Sequence, residues 1–420
     1  MSSLRHNVLA LGADYGLFMV ALTFASQSTI LPAFAAWLGA PNVLIGAIPA
    51  VMTLGWFLPS LFAAGHTETL THKLPFLMKW TVWERVPFLV MALLAFFSAE
   101  RWPGLTLGLV LVMLLVITGV GGFLMPAWMD LIARALPTTI RGRFFALSNF
   151  VAGLVGFGAS LVIAEVLARV PAPASYGICF LGATLCVGLS YVALAVVREQ
   201  VAETAAAPVP LRDYLGRMPG LLRRDRNLTW FLAARAFGLT GAMASGFYTV
   251  YALRAWDAPA SQAGVFTALM LLGQSIGTLT LGWVGDHAGH RLVLLTGMTA
   301  AAGATTVALL APSLGAFGLV FVLFGLQVAA VNVSALNVLL EFSPTAEARP
   351  TYIGLGTTAM APMAFAAPLV GGLLADAVGF RAMFLVSLAF AVAGLVMLAT
   401  LVRDPRHGEL GAAAVEESRA

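Results

Sequence analysis

Apolar stretches of about twenty residues or more recur along the whole chain, and no other feature restricts its fold as strongly. A helix needs roughly 20 apolar residues to cross the hydrocarbon core of a bilayer. Such stretches lie at 8–38, 44–64, 80–99, 105–131, 143–168 and 175–197, and again at 227–252, 260–284, 291–311, 315–342, 351–376 and 380–402. In lipid every backbone N–H and C=O must be satisfied within the protein, so spans of this kind fold as helices. The expected fold class is all-α and polytopic, with twelve transmembrane helices. Several stretches exceed one straight crossing, for which tilt or extension past the bilayer is the expectation. Composition agrees. Charged residues are 10% and hydrophobic residues 60% of 420, whereas a soluble domain carries roughly 25% charge.

The same inventory excludes several function classes. The net charge of +4 does not point to nucleic acid, because the basic residues fall in short loops between spans and not on one face. Cys179 and Cys186 share one apolar run seven residues apart and cannot bridge each other. Six histidines occur without metal-ligand spacing. No nucleophile–base set, metal cluster or phosphate loop is present, so neither an enzyme nor a cofactor is expected. The first stretch is longer than a signal-peptide core of roughly 7–15 residues and is expected to be retained.

The domain organisation expected is 1–197 and 227–402, joined by 198–226 and followed by a polar tail at 403–420. Within the linker Leu211, Leu215, Met218 and Leu222 recur at roughly helical spacing among Arg212, Arg217, Arg223 and Arg224. That pattern predicts a short amphipathic helix on an anionic leaflet, with a disordered linker as the alternative. Orientation follows from basic residues. With both termini cytoplasmic, only Arg101, Arg169, Arg254 and Arg381 of the 23 Lys and Arg fall in outer loops. The halves also repeat weakly: an offset of 218 residues relates Leu54-Gly55 to Leu272-Gly273, and Lys73 to Arg291. Similar halves are what alternating access is built from.

Between the eighth and ninth spans stands Gly282-Trp283-Val284-Gly285-Asp286-His287-Ala288-Gly289-His290-Arg291, a G-x-x-x-D-x-x-G-x-R pattern. It resembles the loop signature of the major facilitator superfamily of secondary transporters. The resemblance implies two six-helix bundles related by a pseudo-two-fold axis around a central cavity, in a protein of the inner membrane. It also implies that the loop takes part in a cytoplasmic gate. Gly282 and Gly289 would allow close approach and a tight turn. Asp286 would accept from the start of the fifth helix near Arg141 and Arg143, and Arg291 would reach Glu341. A topological stop signal without a switching role is the alternative. In the first half the signature has decayed to Ala64, Glu68, Thr71 and Lys73. The turn Pro137-Thr138-Thr139-Ile140-Arg141-Gly142-Arg143 resembles the R-G-R turn of many bacterial members. Ala367-Pro368-Leu369-Val370-Gly371-Gly372 resembles an element of proton-coupled exporters, displaced to the symmetry-related helix. The family's fourth-helix arginine is absent, with Leu115 where it would stand.

Ionisable groups inside spans cost roughly 2.5–3.5 kcal/mol each on insertion scales and tend to face cavities or partners. Asp14 in the first span and Arg235 in the seventh lie at similar depth, which predicts an ion pair between the halves or separate pairing within each. Glu84 and Arg85 lie near the end of the third span, Asp130 near that of the fourth and within reach of Lys73, and Glu165 near that of the fifth. Gln27, Gln274 and Gln327 fall near mid-span, where they would line a cavity or bond between helices. The expected function is secondary transport of a small molecule by alternating access, with export of amphipathic compounds favoured. The alternatives are import of a sugar or other metabolite, or a transporter-like receptor or assembly factor. The partners expected are the substrate, a coupling proton or cation, and lipid, with the protein a monomer.

Overall fold

The computed structural model describes residues 2–67, 71–199, 220, 222, 225–343 and 349–404. The amphipathic helix expected in the linker, Glu68 of the decayed loop, and nearly all of the polar tail lie outside the described residues. Among the described residues the regular structure is helical throughout.

The first half runs α1 (Ser2–Phe24), α2 (Ile30–Trp37), α3 (Asn42–Thr67), α4 (Leu74–Trp80), α5 (Val82–Phe97), α6 (Pro103–Ala135), α7 (Thr138–Arg169) and α8 (Ala174–Ala195). The second runs α9 (Arg226–Gly241), a 3-10 turn (Ala242–Gly246), α10 (Tyr248–Ala255), α11 (Gln262–Ala288), α12 (His290–Leu310), α13 (Leu314–Ser334), α14 (Asn337–Glu341), α15 (Arg349–Thr358), α16 (Ala361–Val378) and α17 (Phe380–Thr400). Among the described residues eleven spans are long and apolar enough to cross a membrane. The twelfth, 226–255, is broken into α9 and α10.

The first stretch, 8–38, is likewise two helices and not one tilted crossing, which corrects the expectation for it. The run Ser26-Gln27-Ser28-Thr29 carries side chains that compete with the helical backbone, and helix resumes at Ile30 with Pro32 in its opening turn, where a missing N–H is tolerated. The two interruptions correspond. Adding the repeat offset of 218 to Ala25–Thr29 gives Met243–Phe247, the 3-10 segment and its exit. Backbone freed at such breaks must be satisfied by protein or face a cavity. The Ser28 carbonyl accepts from Thr249 Oγ1 at 2.9 Å, and the Gly241 carbonyl from Ser387 Oγ at 2.5 Å.

The chain packs as two compact units. One comprises residues 1–210 with 246–268, the other 211–245 with 269–420. Thus the segment joining the seventh and eighth spans belongs with first-half helices. The hydroxyls of Thr29 and Thr267 bond at 2.6 Å, and Arg254 Nη1 donates to Asn42 Oδ1 at 3.1 Å. In the first unit α3 lies along α6, where a Cβ on Gly55 would stand 2.8 Å from the Gly119 nitrogen. In the second, α11 meets α13 where a Cβ on Gly273 would run into the Val322 carbonyl. The repeated Leu-Gly pair therefore marks the same close crossing in each half. Small residues at contacts are how helices associate in lipid, where hydrophobic attraction between them is weak. Large apolar side chains such as Leu154, Leu185 and Leu279 are exposed, as lipid-facing positions should be.

Candidate functional site

A buried charged cluster forms in the first unit where α1, α5, α6 and α8 meet. Asp14 is 4% exposed, Glu84 7% and Arg85 8%. Arg85 Nη2 lies 3.2 Å from Asp14 Oδ1, and its Nη1 lies 3.5 Å from Glu84 Oε2. Asp14 Oδ1 also accepts from Ser190 Oγ at 2.6 Å, and Oδ2 from Trp128 Nε1 at 3.0 Å. Glu84 accepts from Thr81 Oγ1 at 3.0 Å. Arg85 further donates to the Val187 carbonyl at 3.0 Å and to Thr81, and its guanidinium lies near the rings of Phe18 and Tyr191. An apolar cavity of about 100 Å³ opens beside these groups, walled by Phe18, Met19, Trp56 and Trp128. Tyr15 stacks on Trp128 and donates to Asn149 at 2.9 Å, which fixes that wall.

Asp14 thus has a partner that the sequence reading did not assign to it. Its cation is Arg85, 71 residues away and within the same half, as in the alternative of separate pairing. Glu84 and Arg85 lie near the end of the third span, yet both side chains are buried among neighbouring helices. The available signal was the pair of opposite charges in one span, which is hard to accommodate in lipid unless both find partners.

Arg235 occupies a separate cavity of about 60 Å³ within the second unit. The wall includes Leu239, Leu294, Met298, Val331 and Gln327. The guanidinium carbon lies 5.8 Å from the Phe231 ring centre. Among the described residues no carboxylate lies within ion-pairing distance of it. Of the three mid-span glutamines only Gln327 borders this cavity. Gln27 sits exposed in the break between α1 and α2, and Gln274 is half-buried on α11.

The loop signature forms a hairpin pivoting on Gly289, whose φ of 97° favours glycine. Gly285 supplies the close approach: a Cβ there would stand 2.9 Å from the His290 ring, whereas Gly282 faces open space. Asp286 is exposed on the last turn of α11. Arg291 donates through Nη2 to the carbonyls of Leu398 and Ala399, at 3.0 and 2.8 Å, at the end of α17. Those are partners other than the expected Glu341, which ends α14. Arg141 acts alike: Nε donates to the Leu136 carbonyl at 2.9 Å and Nη2 to that of Ala133, closing the end of α6. Both arginines satisfy carbonyls that helix ends leave unpaired. Arg143 is exposed.

The decayed first-half loop carries its own network. Lys73, 1% exposed, pairs with Asp130 at 3.3 Å, Asp130 pairs with Arg134 at 2.8 Å, and Glu199 accepts from the amides of Lys73 and Leu74 at 2.6 and 3.0 Å. Glu165 pairs with Arg169 one turn on. A second full copy of the signature stands at Gly372-Leu373-Leu374-Ala375-Asp376-Ala377-Val378-Gly379-Phe380-Arg381, 90 residues after the first and beyond the expected gate. Gly379 turns at φ 87°, as Gly289 does at 97°, so each hairpin is made by the same device.

Comparison with known proteins places this architecture. Residues 231–420 match the family model of the Major Facilitator Superfamily. A 136-residue stretch is 32% identical to the tetracenomycin C resistance and export protein of Streptomyces glaucescens, covering 32% of this chain and 25% of that one. A 148-residue stretch is 30% identical to the drug efflux pump JefA of Mycobacterium tuberculosis, covering 33% and 28%. The matches therefore span about a quarter of those relatives' length. Among solved structures, a mutant of the nucleoside transporter NupG superposes with a TM-score of 0.72 at 13% identity, over 94% of this chain and 100% of that one. A bacterial homolog of the human lysosomal transporter Spinster superposes with 0.70 at 13%, over 94% and 96%. The second half of the chain thus matches the Major Facilitator Superfamily, and along nearly its whole length this multi-pass membrane protein shares the fold of these solved transporters.

Proposed function

We propose that this protein is a secondary transporter which exports a small amphipathic molecule by alternating access, and that the Asp14–Glu84–Arg85 cluster carries the coupling proton. The observation behind the coupling role is charge balance. Two buried carboxylates share one guanidinium, so with both ionised the cluster holds one uncompensated negative charge. Leaving such a charge out of water is expensive, and binding one proton removes it. A cluster that gains and loses a proton as its access to water changes is what ion coupling requires. Cavities with apolar walls adjoin this cluster in the first unit and Arg235 in the second, which suits a cargo that is amphipathic. The two relatives named above are an export protein and a drug efflux pump, which favours the outward direction.

Both termini are placed in the cytoplasm on the distribution of basic residues, and the loop at 282–291 is assigned to a gate on that side. An acid on the last turn of α11 opposes that helix's dipole. Asp286 therefore gains by accepting from a helix start elsewhere, the role assigned to it here. Purified protein in proteoliposomes, loaded with a pH-sensitive dye and challenged with a panel of amphipathic compounds, tests the reading. Substrate-dependent proton movement supports it. In Asp14→Asn, substrate exchange that persists without gradient-driven accumulation assigns the coupling to this cluster; accumulation at the wild-type level removes it from the mechanism.

A further inference from the structure

Arg235 is the charge that the cluster mechanism leaves unused. It stands mid-span on α9, pairs with no carboxylate among the described residues, and borders a cavity whose other polar side chain is Gln327. Arginine stays charged at any working pH and presents a planar fork of donors matched to carboxylate and phosphate oxygens. One face of that fork is supported by the Phe231 ring at 5.8 Å. The position is also held firmly. Two turns around it, α9 is pressed against α17, where a Cβ on Gly394 would stand 2.7 Å from the Gly238 nitrogen and one on Gly241 would stand 2.5 Å from the Ala391 nitrogen. A cation so costly in a membrane span, kept without a counter-charge among the described residues and facing a cavity, has its counter-charge supplied by something that enters.

We propose that Arg235 is the recognition point for an amphipathic organic anion. A carboxylate or phosphate oxygen pair meets the guanidinium, Gln327 donates a further hydrogen bond, and the apolar body lies against Leu239, Leu294, Met298 and Val331. This deepens the transport reading by naming the class of cargo, and the binding site itself does not depend on transport. The same head-group chemistry could come from a free organic anion or from an anionic lipid.

The test uses the full-length protein in phosphatidylcholine nanodiscs and three matched probes observed by fluorine NMR: 4-fluorobenzoate, 4-fluorobenzamide and 4-fluorobenzylammonium. Wild type is expected to bind the benzoate at least tenfold more tightly than the amide, and the ammonium most weakly. Arg235→Gln should remove the preference while retaining weak amide binding, and Arg235→Lys should keep part of it. Retained amide binding, with the same elution profile as wild type, shows that the variant is folded. Equal binding of benzoate and amide by wild type, or a preference that survives Arg235→Gln, overturns the proposal. Repeating the titration with phosphatidylglycerol in the discs separates the sources. Loss of benzoate binding to wild type there assigns the site to a lipid head group and overturns the cargo assignment; undiminished binding supports a free anion. If benzoate selectivity holds but no substrate moves in proteoliposomes, the transport reading fails and the anion site stands.

Discussion

Charge balance in the Asp14–Glu84–Arg85 cluster predicts that its members are unequal. Asp14→Asn removes one of two carboxylates and leaves Arg85 still 3.5 Å from Glu84. The remaining pair is electrically neutral. What is lost is acceptor capacity: Arg85, Ser190 and Trp128 all donate to the carboxylate, and an amide oxygen cannot serve three donors around two former oxygens. One donor is left facing an NH2 group, at a cost of about 1–3 kcal/mol. Arg85→Gln is different. It leaves two buried carboxylates without a cation and removes the donor to the Val187 carbonyl, for which about 3–5 kcal/mol is expected. A typical protein has roughly 5–15 kcal/mol in total, so the second change consumes much of the margin. Adding Asp14→Asn to Arg85→Gln removes one stranded carboxylate. The double variant should therefore be more stable than the sum of the singles by about 1–3 kcal/mol. Reversible unfolding of the four proteins in one mild detergent measures this cycle. A cost for Asp14→Asn equal to that of Arg85→Gln, or additivity within about 0.5 kcal/mol, would refute the charge-balance argument.

Other residues give sharper contrasts. Gly273→Val should destabilise the protein by about 1–3 kcal/mol or more through overpacking against the Val322 backbone, whereas Gly282→Ala meets nothing within 4 Å and should leave thermal stability unchanged; a stability loss from the second would contradict the packing described. Thr249→Val deprives the buried Ser28 carbonyl of its donor and should cost about 1–3 kcal/mol, read as a lower melting temperature, with Thr249→Ser restoring most of it. Asp286→Asn should shift the protein toward its inward-open state by up to about 2 kcal/mol, short of the roughly 5.5 kcal/mol needed to invert a 1:99 population, so transport should be impaired and not abolished. Unchanged labelling of a cysteine placed near Arg141 would count against that gate.

What could be read from the sequence divides along physical lines. Span number and hairpin positions were legible because insertion in lipid imposes a length and a composition on each segment. The Leu-Gly repeat was legible as a pattern, and it does mark equivalent crossings. The broken helices were not, because Ser26-Gln27-Ser28-Thr29 is short and flanked by apolar residues, and a hydropathy window averages it away. Pairings were least accessible. The depth of Asp14 was legible, but depth does not fix which face a side chain takes or which helices adjoin, so Arg85 was not singled out as its partner. Arg291 and Arg141 serve helix-end carbonyls within their own units, a partner type that side-chain chemistry cannot single out. The second signature at 372–381 follows a 90-residue spacing that lies outside the 218-residue repeat of the halves.

A proton-driven transporter of a small amphipathic molecule must couple its flux to the pH gradient. The most direct measurement is substrate flux in proteoliposomes of the purified full-length protein under an imposed pH gradient, with a gradient-free sample beside it. The account predicts uptake against a concentration gradient that collapses when the pH gradient is dissipated, and exchange without accumulation when none is imposed. Saturable binding with no flux under either condition would contradict it and would make the protein a receptor built on a transporter fold.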